Sequence, residues 1–204
     1  MYQCFFFQNL GFQGDNEDYY SPFNSILHKV IERKKGQPIL LSALYIALGR
    51  SVGLPLQPIG FPGHFLVGVE DPLFFIDPFN DGRIIRMDDI KRSLKKGKER
   101  LSPDEIKRYT QPISSRQLLI RVNNNLIRAY QKIQSPNAML RAIDRNLILF
   151  PEHLQAHRAK AILLKGMGRY KEAANSLEIF VTAHPNDPQA EELIKELNIL
   201  RGLS

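Results

Sequence analysis

The sequence predicts an α+β domain followed by a tail of helical repeats. Residues 1–90 hold nine of the thirteen glycines and several strand-like aromatic runs, whereas residues 114–204 are typical of consecutive helices. Pro151 and Pro185 lie 34 residues apart at equivalent points of two similar segments. A helix among antiparallel strands is an α+β pattern, and a period of about 34 residues is typical of stacked helical pairs. We therefore place a connector at 91–113, between the two domains.

Composition limits the classes of protein that this chain can form. Of its 204 residues, 43% are hydrophobic and 24% are charged, which is ordinary for a globular protein. No stretch approaches the roughly 20 apolar residues that span a bilayer. The single cysteine, Cys4, excludes an internal disulfide and a multi-cysteine metal site, so we expect a cytoplasmic protein. The apolar start lacks the basic region of a signal peptide and suggests a longer natural N-terminus.

The net charge of +7 is concentrated between residues 91 and 108. Eight basic residues stand there against three acidic ones: Lys91, Arg92, Lys95, Lys96, Lys98, Arg100, Lys107 and Arg108, with Glu99, Asp104 and Glu105. A basic stripe attracts nucleic acid through a salt-dependent Coulomb interaction. No aromatic side chain interleaves these charges, so a base-stacking surface is absent. We therefore expect a solvated connector and no binding of nucleic acid.

Two helices are predicted in the first half. Residues 24–33 have apolar side chains at helical spacing, with Asn24 as the expected cap and Gly36 as the break. Residues 38–52 are apolar on nearly every side, which predicts a central helix that ends at Gly53.

Strands are predicted after the central helix. Residues 56–59, 64–69 and 73–77 have strand-like composition, and a turn at Asp81-Gly82 returns the chain through residues 84–86. We expect these segments to pair in an antiparallel sheet.

The tail contains one clear repeat and one degenerate repeat. The clear repeat spans 154–187 and carries small residues, a turn glycine, two aromatics and a final proline: Ala161, Ala173, Gly168, Tyr170, Phe180 and Pro185. Small residues allow two antiparallel helices to approach closely. The degenerate repeat spans residues 120–153. A polar capping helix is predicted over residues 188–204. Before the tail, Ser102-Pro103 predicts a helix start.

Three segments of the first half carry a family resemblance. Gly36-Gln37-Pro38 begins the central helix, Gly63-His64-Phe65 begins a strand, and Ile76-Asp77-Pro78 ends another. In this order they resemble the papain-like transglutaminase fold of cysteine acyl-transferases and proteases. That family places a cysteine at the helix start, with a histidine and an aspartate on adjacent strands. The thiolate attacks an amide, the imidazole holds the proton, and the carboxylate orients the imidazole.

The wider pattern is similar to the bacterial SirB-type family, in which TPR (tetratricopeptide) units follow a transglutaminase-like domain. The matching segments are Asp18-Tyr19-Tyr20, Asn24-Ser25, residues 33–39, Pro62-Gly63-His64-Phe65 and Ile76-Asp77-Pro78-Phe79. The resemblance assigns His64 and Asp77 to the catalytic positions. It places Pro38 at the position of the nucleophile, and proline has no nucleophilic atom. His64 and Asp77 are therefore expected to be a vestigial dyad.

Other residues complete the predicted site. Asn24, Gln37 and Ser42 are expected to line the old cleft. Ser42 lies one helical turn beyond Pro38 and is a disfavoured candidate nucleophile, because its hydroxyl is expected to bond the Pro38 carbonyl. Cys4 lies in an apolar run and is expected to be an inert core residue.

The predicted function is that of a pseudoenzyme, a non-catalytic regulatory adaptor that binds a protein or peptide through a TPR groove, the vestigial cleft, or both. The alternative is a cysteine-independent amidase or protease that uses His64 and Asp77. No cofactor or metal is predicted, because His153 and His157 share a helix face without a third ligand. No membrane partner is expected.

Overall fold

A computed structural model describes residues 1–71, 73–95, 102–183 and 190–203. The chain forms two compact units, Met1–Val122 and Asn123–Ser204. Within the described parts of the chain, no helix has the length and apolar character needed to cross a membrane.

The first unit begins with a short helix that widens into a π-helical turn over Phe5–Asn9. Its α-helices are α1 (Tyr2–Cys4), α2 (Leu27–Arg33), α3 (Pro38–Ser51), α4 (Met87–Leu94) and α5 (Pro103–Thr110). Two 3₁₀ helices, Pro22–Ser25 and Pro78–Asn80, complete the helical elements that position the site. Cys4 is exposed, which corrects the prediction that Cys4 belongs to the core.

The strands form two sheets. They are β1 (Gln13–Gly14), β2 (Lys35–Gly36), β3 (Gln57–Ile59), β4 (Leu66–Gly68), β5 (Phe74–Asp77) and β6 (Arg83–Arg86). Strands β3 to β6 form an antiparallel sheet in sequence order, with Val67 opposite Ile76 and Ile76 opposite Ile84. This confirms the predicted antiparallel sheet. Strands β1 and β2 pair in parallel.

Helix α3 is the centre of the first unit, as its composition predicts. Pro38 occupies the first turn, where a missing backbone N–H costs nothing, and Gly53 follows the end of the helix. Leu41 and Tyr45 are almost completely buried. Helix α3 packs against β3, β4 and the 3₁₀ helix Pro78–Asn80. His64 lies in the loop just before β4, and Asp77 is the last residue of β5.

Helix α4 continues the first unit beyond residue 90. Ile90 is buried in a cluster with Leu66 of β4, Phe75 of β5 and Phe61 of the loop before β4. Further along, the Ile113 N–H donates to the carbonyl of Pro58 at 2.9 Å. The first compact unit therefore extends beyond residue 90, where the sequence predicted its end. Parts of the predicted connector pack on the sheet or form hydrogen bonds with it.

The helix predicted over 24–33 is divided in the structure. Asn24 lies in the 3₁₀ helix Pro22–Ser25, and Ile26 has an extended backbone immediately before α2. Asn24 is therefore not the cap of α2, because its side chain is committed to other partners. Its amide donates to the carbonyl of Asp18 at 2.7 Å, and its carbonyl accepts from Arg33 at 3.0 Å.

Helix α5 begins as its sequence predicts. The Ser102 hydroxyl accepts from the N–H of Glu105, and the Glu105 carboxylate accepts from the N–H of Ser102. This reciprocal pair is a capping box, which satisfies two backbone donors at the helix start.

The second unit consists of helices. They are α6 (Ser115–Lys132), which begins in the first unit, α7 (Pro136–Leu149), α8 (Leu154–Gly166), α9 (Tyr170–Ala183) and α10 (Ala190–Gly202). Ala161 and Ala173 are buried together with Phe180, which confirms the predicted close packing of α8 and α9. Gly168 has a φ of 73° at the turn between them, a backbone conformation that favours glycine. Pro185 and Asp187 of the predicted repeat lie outside the described residues.

Candidate functional site

The structure brings His64 and Asp77 together. The imidazole Nε2 lies 2.8 Å from Oδ1 of Asp77, within the separation expected of a histidine–carboxylate pair. The ring N–H is poorly aligned with this line, so the contact is a close polar pair more than a well-directed hydrogen bond. The histidine side chain is 25% exposed, whereas that of Asp77 is 4% exposed. Solvent therefore reaches the imidazole but hardly reaches the carboxylate.

The Asp77 carboxylate is fixed by several donors. Its Oδ1 accepts from the N–H of Phe79 at 3.1 Å and from that of Asn80 at 3.4 Å, so Asp77 caps the 3₁₀ helix. Its Oδ2 accepts from the Asn80 side chain at 2.7 Å. Burial alone raises the pKa of Asp77, but the contacts with His64 and Asn80 outweigh burial and lower it. The carboxylate is therefore ionised at neutral pH.

The loop that carries His64 is held by the side chain of Arg121 on α6. The Arg121 guanidinium donates to the carbonyl of Phe61 at 2.8 Å and, more weakly, to that of His64 at 3.4 Å. It also lies 5.5 Å from the centre of the Phe65 ring. Between these points, Gly63 has a φ of 70°, which turns the chain into His64. Sequence reasoning missed Arg121, because about 60 residues separate it from its partners.

A surface cavity of about 480 Å³ opens beside His64 and Asp77. Its apolar lining comes from Phe61, Pro62, Leu66, Ile85 and Ile90, and its polar side chains are His64, Asp77, Asn80, Arg83, Asp89 and Ser93. The volume lies within the range of about 300–1,000 Å³ that is usual for small-ligand sites. The cavity can therefore admit a ligand of a few residues or less.

The predicted cleft residues Asn24, Gln37 and Ser42 do not line this cavity among the described residues. All three are buried. The Gln37 amide donates to the carbonyl of Tyr19 at 2.8 Å, and its carbonyl accepts from the Ser25 hydroxyl at 2.8 Å. These internal bonds hold the chain around the start of α3, and the lining of a cleft by these three residues stays a prediction.

The start of α3 offers no exposed nucleophile. Pro38 is buried at the first helical position. The Ser42 hydroxyl is completely buried and donates to the carbonyl of Phe65 at 3.4 Å, instead of the predicted bond to Pro38. Cys4 is not among the described lining residues of the cavity. The position that the resemblance gives to a nucleophile is thus occupied by a side chain without reactive atoms.

Ser93 was not predicted as a site residue. It lies on α4, is exposed, and lines the same cavity as His64 and Asp77. In the sequence it stands inside the basic stripe, about 30 residues from His64, where no spacing motif marks it. Ser93 reaches the cavity lining because α4 packs on the sheet.

Other singled-out residues have local roles. The His153 ring accepts from the N–H of Ala156 at the start of α8, and a ring nitrogen of His157 lies 2.7 Å from the carbonyl of Pro151. Across the described ranges, no group of three or more potential ligand side chains could hold a metal ion. Lys96, Lys98 and Arg100 of the basic stripe lie outside the described residues.

Comparison with known proteins gives two matches to family profiles. The profile of the transglutaminase-like superfamily matches residues 2–124, and that of the tetratricopeptide repeat matches residues 126–198. No solved structure matches the chain.

Named relatives also resemble the chain. A UPF0162 protein of Xylella fastidiosa is 32% identical over 186 residues, which cover 89% of this chain and 66% of the relative. A UPF0162 protein of Haemophilus influenzae is 30% identical over 204 residues, which cover 97% of this chain and 74% of the relative. The F-box only protein 21 of Homo sapiens is 37% identical over 87 residues, covering 38% of this chain and 14% of that protein. The chain thus spans 66% of the length of the Xylella relative.

Proposed function

The chain belongs to the transglutaminase-like superfamily, and from that premise we propose that it is a non-catalytic member that binds other proteins. The observation that carries this proposal is the buried Pro38 at the first turn of α3, while His64 and Asp77 remain paired at 2.8 Å. Covalent acyl transfer needs a nucleophilic atom beside the imidazole, and proline supplies none. A histidine–aspartate pair without a nucleophile can still stabilise strands and contact a ligand.

We further propose that the chain is a SirB-type protein in which Pro38 replaces the catalytic cysteine. The five sequence segments that resemble that family support this assignment, as does the order of the two matched profiles. The single cysteine fits a reducing compartment, so the cytoplasm is part of the proposal.

The helical tail supports a role in protein binding. Stacked helical pairs form extended surfaces that take peptides, and the tail matches the tetratricopeptide profile over residues 126–198. On α8, the side chain of Ile162 is 60% exposed and lines a small groove with Leu193 and Glu196 of α10. An exposed isoleucine in a groove is a suitable anchor for an apolar side chain of a partner. We therefore place the main binding surface along α8 and α10.

Exchange of this anchor in the full-length chain tests the binding role. Ile162→Glu should abolish capture of the partner proteins that the wild type retains from native cell lysate, as quantified by mass spectrometry. Ile179→Glu is the matched control, because Ile179 is exposed on α9 outside that groove. If both variants capture the same proteins as the wild type, the groove is not the binding surface.

A second candidate function is a cysteine-independent amidase or esterase. The position of Ser93 in the same cavity as His64 and Asp77 favours it, because serine, histidine and aspartate form a hydrolytic triad on many folds. Turnover of amide or ester substrates that is lost in both Ser93→Ala and His64→Ala would establish this function. Absence of turnover in the wild type supports the binding role.

A further inference from the structure

The charges of the cavity beside His64 are unequally satisfied. Asp77 contacts His64 and accepts from Asn80 and two backbone N–H groups. Asp89 also has partners, since Oδ1 accepts from Arg92 and Oδ2 accepts from the N–H of Arg86. Both carboxylates therefore already have hydrogen-bond partners within the protein.

Arg83 is different from these carboxylates. It is an exposed residue that lines the cavity, and its guanidinium forms no hydrogen bond or ion pair with the described residues. Only a longer-range attraction links it to Asp89. A guanidinium has five N–H donors in a planar fork that matches a carboxylate. Arg83 is therefore a cation of the cavity lining that is available to an anionic ligand.

The remaining lining describes the rest of the ligand. Phe61, Leu66 and Ile90 are buried apolar side chains at the cavity wall, and together they can accept a short apolar group. Ser93 is exposed at the cavity and can donate a hydrogen bond, and His64 has a second ring nitrogen outside its contact with Asp77. These groups suit a planar oxygen anion carried by an apolar body.

We propose that this cavity binds a carboxylate attached to a short apolar group, with Arg83 as the residue that recognises the carboxylate. The C-terminus of a peptide that ends in an apolar residue has this chemistry, and so does a free branched carboxylic acid. The inference rests on the proposed function, because it takes the cavity as a binding site and not as a catalytic one. It assigns the cavity a ligand class separate from the groove of the helical tail.

The test is titration of the full-length, isotope-labelled protein by NMR. The probes are an N-acetylated tripeptide that ends in leucine, with either a free or an amidated C-terminus, and 4-methylpentanoate. The free-acid peptide should shift the amide signals of Gly63, Asn80 and Ser93, whereas the amidated peptide should not. Stronger binding of the peptide than of 4-methylpentanoate identifies a chain end as the ligand, and equal binding identifies a small acid.

Two charge variants separate recognition by Arg83 from general attraction. Arg83→Gln should weaken free-acid binding by about tenfold or more, because a hydrogen bond to a charged group is lost. Lys91→Gln removes the same charge from an exposed residue of α4 that does not line the cavity, and should bind as the wild type does. Circular dichroism of both variants checks that the fold is retained.

Equal binding of the amidated peptide, or no effect of Arg83→Gln, would overturn the inference. Loss of partner capture in Ile162→Glu with no carboxylate binding to the cavity would leave the proposed function intact and remove only this inference. Catalytic turnover at Ser93 would instead remove the proposed function itself.

Discussion

Replacement of Asp77 tests whether the vestigial pair stabilises the fold. Asp77→Ala removes the cap of the 3₁₀ helix, which contributes about 1 kcal/mol. It also leaves the Asn80 amide and a buried N–H without their acceptor, which costs about 1–3 kcal/mol. The free energy of unfolding should therefore fall by roughly 2–4 kcal/mol. Urea denaturation at pH 7, followed by circular dichroism, measures this difference.

Two companion variants sharpen the test. Asp77→Asn keeps an acceptor for the cap but loses the charge, and should cost about 1–2 kcal/mol. His64→Ala removes one poorly aligned contact of a partly exposed ring, and should cost about 1 kcal/mol or less. A loss below about 0.5 kcal/mol in Asp77→Ala would refute the reasoning, as would a larger loss in His64→Ala than in Asp77→Ala.

The effect of Asp77 should depend on pH in a defined direction. Its pKa in the folded protein lies below the ordinary aspartate value of about 4, so its contribution to stability is present above that pH. This contribution is lost as the pH falls through the lowered folded pKa. The difference in stability between wild type and Asp77→Asn should therefore shrink below about pH 4.

The remaining predictions concern the helical tail and the basic stripe. Ala173→Leu should lower stability by about 1–3 kcal/mol, because Ala173 is fully buried against α8, and an unchanged urea midpoint would contradict this packing. Gly168→Ala should lower the free energy of unfolding by about 1 kcal/mol, because Gly168 has a positive φ. Gly166→Ala at the end of α8 is the control and should leave stability unchanged or raise it. Equal effects of the two substitutions would contradict this role of φ. The wild type should bind neither DNA nor RNA at physiological salt, and salt-sensitive, sub-micromolar binding in an anisotropy titration would contradict this.

Local sequence signals predicted much of the fold. The helix of residues 38–52 was recognisable because proline can start a helix and glycine can end it, and α3 runs over Pro38–Ser51. Gly168 marked the turn between α8 and α9 for a similar reason. These residues restrict the backbone by themselves, so their effect does not depend on distant contacts.

Features created by distant contacts were not predictable. The pairing of β1 with β2 involves only two residues in each strand, and no local sequence pattern predicts it. Cys4 is exposed although the residues that follow it in the sequence are apolar. The cap predicted for Asn24 failed because Arg33 and the carbonyl of Asp18 compete for its side chain.

The site shows the same division. The family resemblance predicted the proximity of His64 and Asp77, and the structure places Nε2 of His64 2.8 Å from Oδ1 of Asp77. Only the packing of later elements around that pair brings three further residues to the site: Arg83, Ser93 and Arg121. A single sequence gives no signal for such residues, since their spacing reflects tertiary packing and not a local period.

Measurement of amide and ester hydrolysis by the purified wild type is the most direct test of the central claim. The account predicts no turnover above that of His64→Ala, because Pro38 gives the imidazole no nucleophile to activate. Ser93→Ala is assayed alongside, since Ser93 shares the cavity with the pair. Turnover by the wild type that disappears in His64→Ala would contradict the claim that this chain binds without catalysis.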